Sequence, residues 1–311
     1  MQRLLTTATL VGLLIATAAA FAITERLKLT KSPLMPGTKV SHVFSPTCSC
    51  ARGRANIRIK LRRPDALTLQ IVDTRKRTVR ILVDGVETHR GITVFRWDGG
   101  TDENTRAPDG TYRAEVHLAR QHQTIVLPNR IQLDTTPPKV LGLRVNRQAF
   151  SPDGDKQADF VRLTYELSKP AHAVVYLDGR RILVTYLHPV QGSVSWNGQA
   201  HGDTLPPGTY TLELGGLDLA GNTTPVNDRW RIRVEIRYIK LASSRITGVR
   251  AGEPFEIGVS TDARRYAWKL GRRQGFATTP VLRLRAPQPH GRYTLTVTEQ
   301  GHVSRAAVIV R

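Results

Sequence analysis

The chain has 311 residues, of which 40% are hydrophobic and 23% charged, a globular composition with room for two or three domains and not that of a disordered polymer. Its formal net charge is +21, with arginine outnumbering lysine 36 to 10, which fits either a basic surface that attracts polyanions such as nucleic acid, anionic lipid or wall polymer, or, more in keeping with the scatter, arginine spread over solvated strand faces. The basic residues are scattered through every segment and are not interleaved with aromatics, so specific nucleic-acid binding is not expected.

Residues 1–24 read as a signal or transmembrane anchor. Arg3 precedes an uncharged run from Leu4 to Thr24, rich in Leu, Ala, Val and Ile, with small residues at Ala18-Ala19-Ala20 and Ala20-Phe21-Ala22. The run is about 20 residues, the length of a bilayer-spanning helix. Two outcomes stay open: a single-pass chain held in the cell membrane with its bulk extracytoplasmic, or a chain secreted after signal cleavage. A polar, basic linker with Pro33 and Pro36 follows over 25–42.

From residue 43 the chain repeats itself. Phe44-Ser45-Pro46 is matched by Phe150-Ser151-Pro152, an offset of 150 − 44 = 106. Pro64 and Pro170 each stand twenty residues after their Phe. Alternating runs flank each proline: Ile57-Arg58-Ile59-Lys60-Leu61 and Leu67-Thr68-Leu69 in one copy, Val161-Arg162-Leu163-Thr164-Tyr165 and Ala173 to Leu177 in the other. A period of two marks half-buried strands. Trp97 and Trp196 come next, each followed two residues later by glycine, and then Pro108-Asp109-Gly110-Thr111-Tyr112 and Pro206-Pro207-Gly208-Thr209-Tyr210. A more divergent third unit carries Trp268 and Pro289-His290-Gly291-Arg292-Tyr293. Asp134-Thr135-Thr136-Pro137-Pro138 is a stiff joint between the first two copies.

Short strands, turn signals every 8–12 residues and units of 75 to 100 residues predict an all-β chain. Its expected form is tandem antiparallel Ig-like, or fibronectin-III-like, β-sandwiches after an N-terminal hydrophobic helix. The expected bounds are 43–136, 137–236 and 237–311. In P-x-G-x-Y the proline presets a turn, the glycine supplies a backbone angle that other residues resist, and the tyrosine enters a core strand. Tyr112, Tyr210 and Tyr293 are therefore expected to bond back to the backbone across the corner, and Trp97, Trp196 and Trp268 to pack in the cores.

Phe-Ser-Pro-Asp-Gly-Asp at 150–155, Leu-Ser-Lys-Pro at 167–170, Trp-Asn-Gly at 196–198 and Pro-Pro-Gly-Thr-Tyr at 206–210 together resemble the immunoglobulin-like domain of flagellar hook-capping proteins, a domain type that recurs in secreted bacterial proteins. The first copy joins the likeness through residues 79–85, 97–99 and 108–112. The hook-capping region that precedes the domain in that family has no counterpart here. The resemblance implies an exported Ig-like module.

Two loops could carry chemistry. Asp153, Asp155 and Asp159 space three carboxylates as a small calcium loop does, and the same residues equally suit an Asp-rich turn. Lys156 stands where the family pattern has a second glycine. In the first copy the three carboxylates are replaced by Thr47, Ser49 and Gly53, and the chain's only cysteines, Cys48 and Cys50, appear instead. Two thiolates are too few for zinc, so a local disulfide or an intermolecular one is expected outside the cytoplasm. Asp98, Asp102, Glu103 and Asp109 lie together but coincide with turns. The nine histidines form no H-E-x-x-H or H-x-H, and no G-x-S-x-G or phosphate-cradling loop occurs. The chain is expected not to be an enzyme and, calcium apart, to need no cofactor. The expected function is a cell-envelope scaffold, adhesion or protein-interaction module, with a protein or wall-polymer partner and the membrane met through the N-terminal segment. The alternative is a module binding carbohydrate or anionic wall polymer through arginine-rich faces.

Overall fold

The computed structural model describes residues 2–29 and 32–311, with side-chain surroundings for 10–24 and 32–311. A helix covers Gln2–Leu29, and the described residues after it form strands, turns and connecting loops, with one short 3-10 turn at Val226–Asp228. Among the described residues no helix is long and apolar enough to cross a membrane. The transmembrane expectation therefore finds no support in this helix.

Residues 1–135 and 136–311 form two compact units. The first holds one hydrophobic core, and the second holds two. Each core is closed by a three-stranded and a larger sheet. In the first unit Lys39–Val40, Ala55–Leu61 and Gly91–Trp97 form the small sheet. Val43–Phe44, Ile131–Leu133, Gly110–Leu118, Asp65–Val72 and Thr78–Thr88 form the large one, with Gln123–Val126 added on Gly110–Leu118. Ala55–Leu61 alternates buried and exposed along its length, as a strand with one wet face must. Leu34 bridges Leu61, and Val40 is buried, so the first sandwich draws in residues that the sequence reading left in the linker.

The second unit repeats this plan twice. Its first small sheet is Val140–Val145, Val161–Leu167 and Gln191–Trp196. The facing sheet runs Ala149–Phe150, Trp230–Ile236, Gly208–Leu217, His172–Leu177 and Arg180–Val184. The last sandwich sets Ile239–Leu241, Pro254–Thr261 and Val281–Arg285 against Arg245–Val249, His302–Val310, Gly291–Glu299, Tyr266–Leu270 and Arg273–Ala277. The sheets are antiparallel with one exception per sandwich. Val43–Phe44, Ala149–Phe150 and Arg245–Val249 each run parallel to the last strand of their own sandwich. The chain enters on the small sheet and crosses to the large one, which leaves that short strand pointing the same way as the closing strand. These are tandem Ig-like, fibronectin-III-like β-sandwiches.

The recurring motifs meet in one aromatic cluster per copy. Trp97 and Trp196 are fully buried at the ends of their strands. Phe44 lies 5.2 Å and Tyr112 5.0 Å from Trp97, ring centre to ring centre. Phe150 and Tyr210 stand 5.5 Å and 6.1 Å from Trp196. Such tilted pairs add about 0.5–1.5 kcal/mol each beyond burial. The indoles donate to the carbonyls of Gly100 and Gln199 at 2.8 Å. Gly99 and Gly198 sit at φ +83° and +78°, where a Cβ would press on Pro46 and Pro152 at 3.1 and 3.0 Å. Phe-Ser-Pro and Trp-x-Gly are thus two halves of one contact.

The three tyrosine hydroxyls each donate to the carbonyl of the proline four residues back, Pro108, Pro206 and Pro289, at 2.7 Å. Trp268 differs from the other two. It lies in the middle of Tyr266–Leu270, half-buried against the third core, with its ring over Gly275. At the strand end that corresponds to Trp97 and Trp196 the third sandwich has Arg285 and the buried Ala286.

Candidate functional site

The acidic group of the first sandwich is spent on turns. Asp98 accepts from the Gly100 amide at 3.0 Å. Asp102 accepts from the Ile81 amide at 3.1 Å, and Asp109 from the Thr135 amide at 2.9 Å. Glu103 is exposed. Asp98, Asp102 and Asp109 are thus each bonded to a different stretch of backbone.

The loop after Phe44 is closed on itself. The Ser45 amide donates to the Arg52 carbonyl at 3.0 Å, and the Gly53 amide to the Cys50 carbonyl at 3.0 Å. The Ser45 and Thr47 hydroxyls bond each other at 2.7 Å. Cys48 and Cys50 are bridged, with Cα atoms 5.2 Å apart, inside the range that disulfides accept.

The loop after Phe150 has the same closure, from the Ser151 amide to the Ala158 carbonyl at 3.2 Å. Its carboxylates divide the work. Asp159 accepts from the amides of Gly154 and Lys156, both at 2.8 Å, with one oxygen each. Asp155 accepts from the Gln157 amide at 2.6 Å and from its side-chain amide at 3.1 Å. These bonds hold a tight loop in which Gly154, Lys156 and Ala158 all have positive φ. Asp153 gives only one oxygen to the loop, accepting from the Asp155 amide at 3.2 Å. Its other oxygen, Oδ2, is buried and has no hydrogen-bond partner.

The Asp153 carboxylate also lies against the third sandwich. Asp262, one residue beyond Pro254–Thr261, accepts from the Ser151 hydroxyl through Oδ1. Glu299 ends Gly291–Glu299, is only 5% exposed, and accepts from the Thr261 hydroxyl at 2.6 Å through Oε2. Asp262 Oδ2 and Glu299 Oε1 are buried without a partner, as Asp153 Oδ2 is. Asp153, Asp262 and Glu299 offer oxygens within 4.8 Å of one another, and so do Asp153, Asp155 and Asp159. Asp153 belongs to both groups. Among the described residues none of the five is ion-paired with lysine or arginine.

Crowded buried carboxylates resist ionisation. Burial first, then the charges of Asp153 and Asp262 and a hydrogen bond shared with the Asp153 carboxyl when one of the two is protonated, push Glu299 up to about 7, against the Thr261 hydroxyl, which acts the other way. Burial is also the main cause that raises Asp153 and Asp262, and in both the neighbouring carboxylates add to it.

The expected triad Asp153, Asp155 and Asp159 does come together, and Cys48 and Cys50 occupy the matching loop of the first copy. Asp262 and Glu299 were missed. They sit in strand ends with no motif around them, and only the two-residue link between Trp230–Ile236 and Ile239–Leu241 hints that the second and third sandwiches are held close.

No protein-family model matches the chain, and no curated protein matches it. Among solved structures, the fibronectin(III)-like modules of CbhA from Clostridium thermocellum align with TM-score 0.34 and 11% identity, over 66% of this chain and 93% of that one. An I-band fragment of titin aligns with TM-score 0.32 and 11% identity, over 90% and 99%. A tetra-tandem repeat from the extending region of a large adhesion protein aligns with TM-score 0.26 and 14% identity, over 86% and 72%. The likeness is one of tandem sandwiches, and nothing in it is specific to hook-capping proteins.

Proposed function

We propose that the chain is an exported, non-catalytic spacer and interaction module of the cell envelope, built to hold a partner-binding surface in place. The carrying observation is that the recurring corner and tryptophan motifs are consumed by folding. Each proline-glycine-tyrosine corner, the tryptophan-glycine contacts of the first two copies and the Asp98 turn find their hydrogen-bond or packing partners within their own sandwich. The Cys48–Cys50 bridge and the apolar start of the chain support residence outside the cytoplasm. So does the hook-capping-like motif set, a domain type of exported proteins. The Gln2–Leu29 helix acts in this reading as the export signal, and membrane retention is its variable part.

A second reading is favoured by the net charge of +21. Exposed arginines such as Arg283 and Arg285, which point out of the third sandwich, suit an anionic wall polymer. A reporter enzyme active only outside the cytoplasm, fused after Arg311, tests export and is expected to be active; an inactive, intact fusion overturns it. Pull-down of purified protein on envelope material separates the two partner classes. A protein partner holds through moderate salt, whereas polymer binding through arginine falls steeply as salt rises.

A further inference from the structure

We infer that Asp153, Asp262 and Glu299 bind one calcium ion, which ties the second sandwich to the third. The inference does not depend on the partner proposed above.

An acidic cluster alone would not carry this. What does is the orphaned set of oxygens: Asp153 Oδ2, Asp262 Oδ2 and Glu299 Oε1 are all buried and all lack a hydrogen-bond partner. Glu299 is more than nine-tenths buried, and one of its carboxylate oxygens stands within 4.8 Å of one each from Asp153 and Asp262. Burying anionic oxygens with neither donor nor counter-charge is costly. A cation, a shared proton or a donating water can satisfy such acceptors, and three converging carboxylates favour the cation.

The surroundings are arranged for a cation. The second oxygen of each carboxylate is anchored, Asp153 by the Asp155 amide, Asp262 by the Ser151 hydroxyl and Glu299 by the Thr261 hydroxyl. Such outer bonds fix the direction of the free oxygens, as they do around established metal ligands. The donors are all oxygen, with no histidine or cysteine in the group, which excludes a zinc-type site. The three come from a loop and two strand ends, an irregular set that suits calcium, with its six to eight flexible oxygen ligands, better than octahedral magnesium. Asp155 and Asp159 lie on the loop side of Asp153, where they add negative charge and can accept the ion's water shell.

The ligands divide between sandwiches, one from the second and two from the third, so the ion links them. Both belong to one compact unit and are joined by only Arg237 and Tyr238, with the Tyr238 ring stacked on His302 of the third sandwich at 3.4 Å. A bound ion adds a further tie beside that stack and the Ser151–Asp262 bond.

The test uses the purified full chain, stripped with chelator at pH 8, with calcium chloride or magnesium chloride as the probe. Calorimetric titration is expected to show one calcium site with a dissociation constant of about 10⁻⁴–10⁻³ M, the range of extracellular modules, and weaker magnesium binding. Millimolar calcium is expected to raise the Tm of the 136–311 unit by several degrees. Asp262→Asn and Glu299→Gln are expected to abolish the response. In chelator, Glu299→Gln is expected to melt no lower than the parent, because it removes repulsion; a merely structural glutamate would instead melt lower. Three results overturn the inference: no calcium binding at 10 mM, which leaves a shared proton among the carboxylates; a response that survives both variants; or a response lost only in Asp155→Asn and Asp159→Asn, which would confine the ion to the loop.

Discussion

The loops at 45–53 and 151–159 occupy the same place in two copies of one fold and are held by opposite chemistry. Both follow a buried phenylalanine, both bury their serine, and both press a proline on the glycine after the core tryptophan. In the first copy the Ser45 hydroxyl stays inside its own loop, on Thr47, and a covalent bridge closes the turn. In the second the Ser151 hydroxyl reaches Asp262 in the next sandwich, and carboxylates shape the turn. A conserved frame leaves this loop free to change its partner. The first copy spends it on local closure, and the second spends it on the joint with its neighbour.

The comparison holds only if the frame is common to both copies. Trp97→Ala and Trp196→Ala should each cost about 3–5 kcal/mol, the price of a large core cavity, measured by denaturant unfolding of the corresponding unit. A cost under about 1 kcal/mol in either copy would break the equivalence.

Asp65 sharpens the contrast next. It stands just after Pro64, where the second copy has Ala171 after Pro170, and it is fully buried. Burial works to raise its pKa, but the Gln121 side chain at 2.9 Å, with the Arg120 and Ala66 amides, outweighs burial and holds it below the usual carboxylate range. A lowered folded-state pKa contributes stability above the unfolded value and loses it as pH falls through the folded one. The first unit should therefore lose stability from about pH 4 downward. Asp65→Asn should cost about 1.5–3 kcal/mol at neutral pH and flatten that acid limb in pH-dependent melts.

The Cys48–Cys50 bridge closes a very short ring. Loop-closure entropy sets its contribution at about 1–2 kcal/mol, so the Cys48→Ser, Cys50→Ser double variant should melt only slightly lower. Intact mass before and after reduction should differ by two hydrogens in protein from an oxidising compartment. Two free thiols there would remove the covalent half of the comparison.

The smallest effects are expected at the corners. Tyr112→Phe, Tyr210→Phe and Tyr293→Phe each delete one bond to a proline carbonyl, about 1 kcal/mol. Tyr112, the most buried, should lead. Equal losses at all three, read from chemical melts, would mean that burial of the corner does not matter.

What could be read from residue order alone was the frame. Ile57 to Leu61 and Val161 to Tyr165 alternate with period two, and a strand with one buried face has no other way to write itself. Proline, glycine and tyrosine at fixed spacing specify a corner within five residues, and Phe-Ser-Pro with Trp-x-Gly recurs because the two must touch. Even the contrast of Cys48 and Cys50 with Asp153, Asp155 and Asp159 was visible, since both loops fall in one register. The roles within the second loop were decided only in three dimensions. Asp155 and Asp159 turn inward to the backbone amides, while Asp153 turns toward a neighbour. Ser151 and Asp262 are 111 residues apart and Glu299 lies farther still, on strand ends whose local pattern reads as ordinary alternation. Their meeting depends on how the end of one sandwich is set against the start of the next, and no periodicity along the chain encodes that.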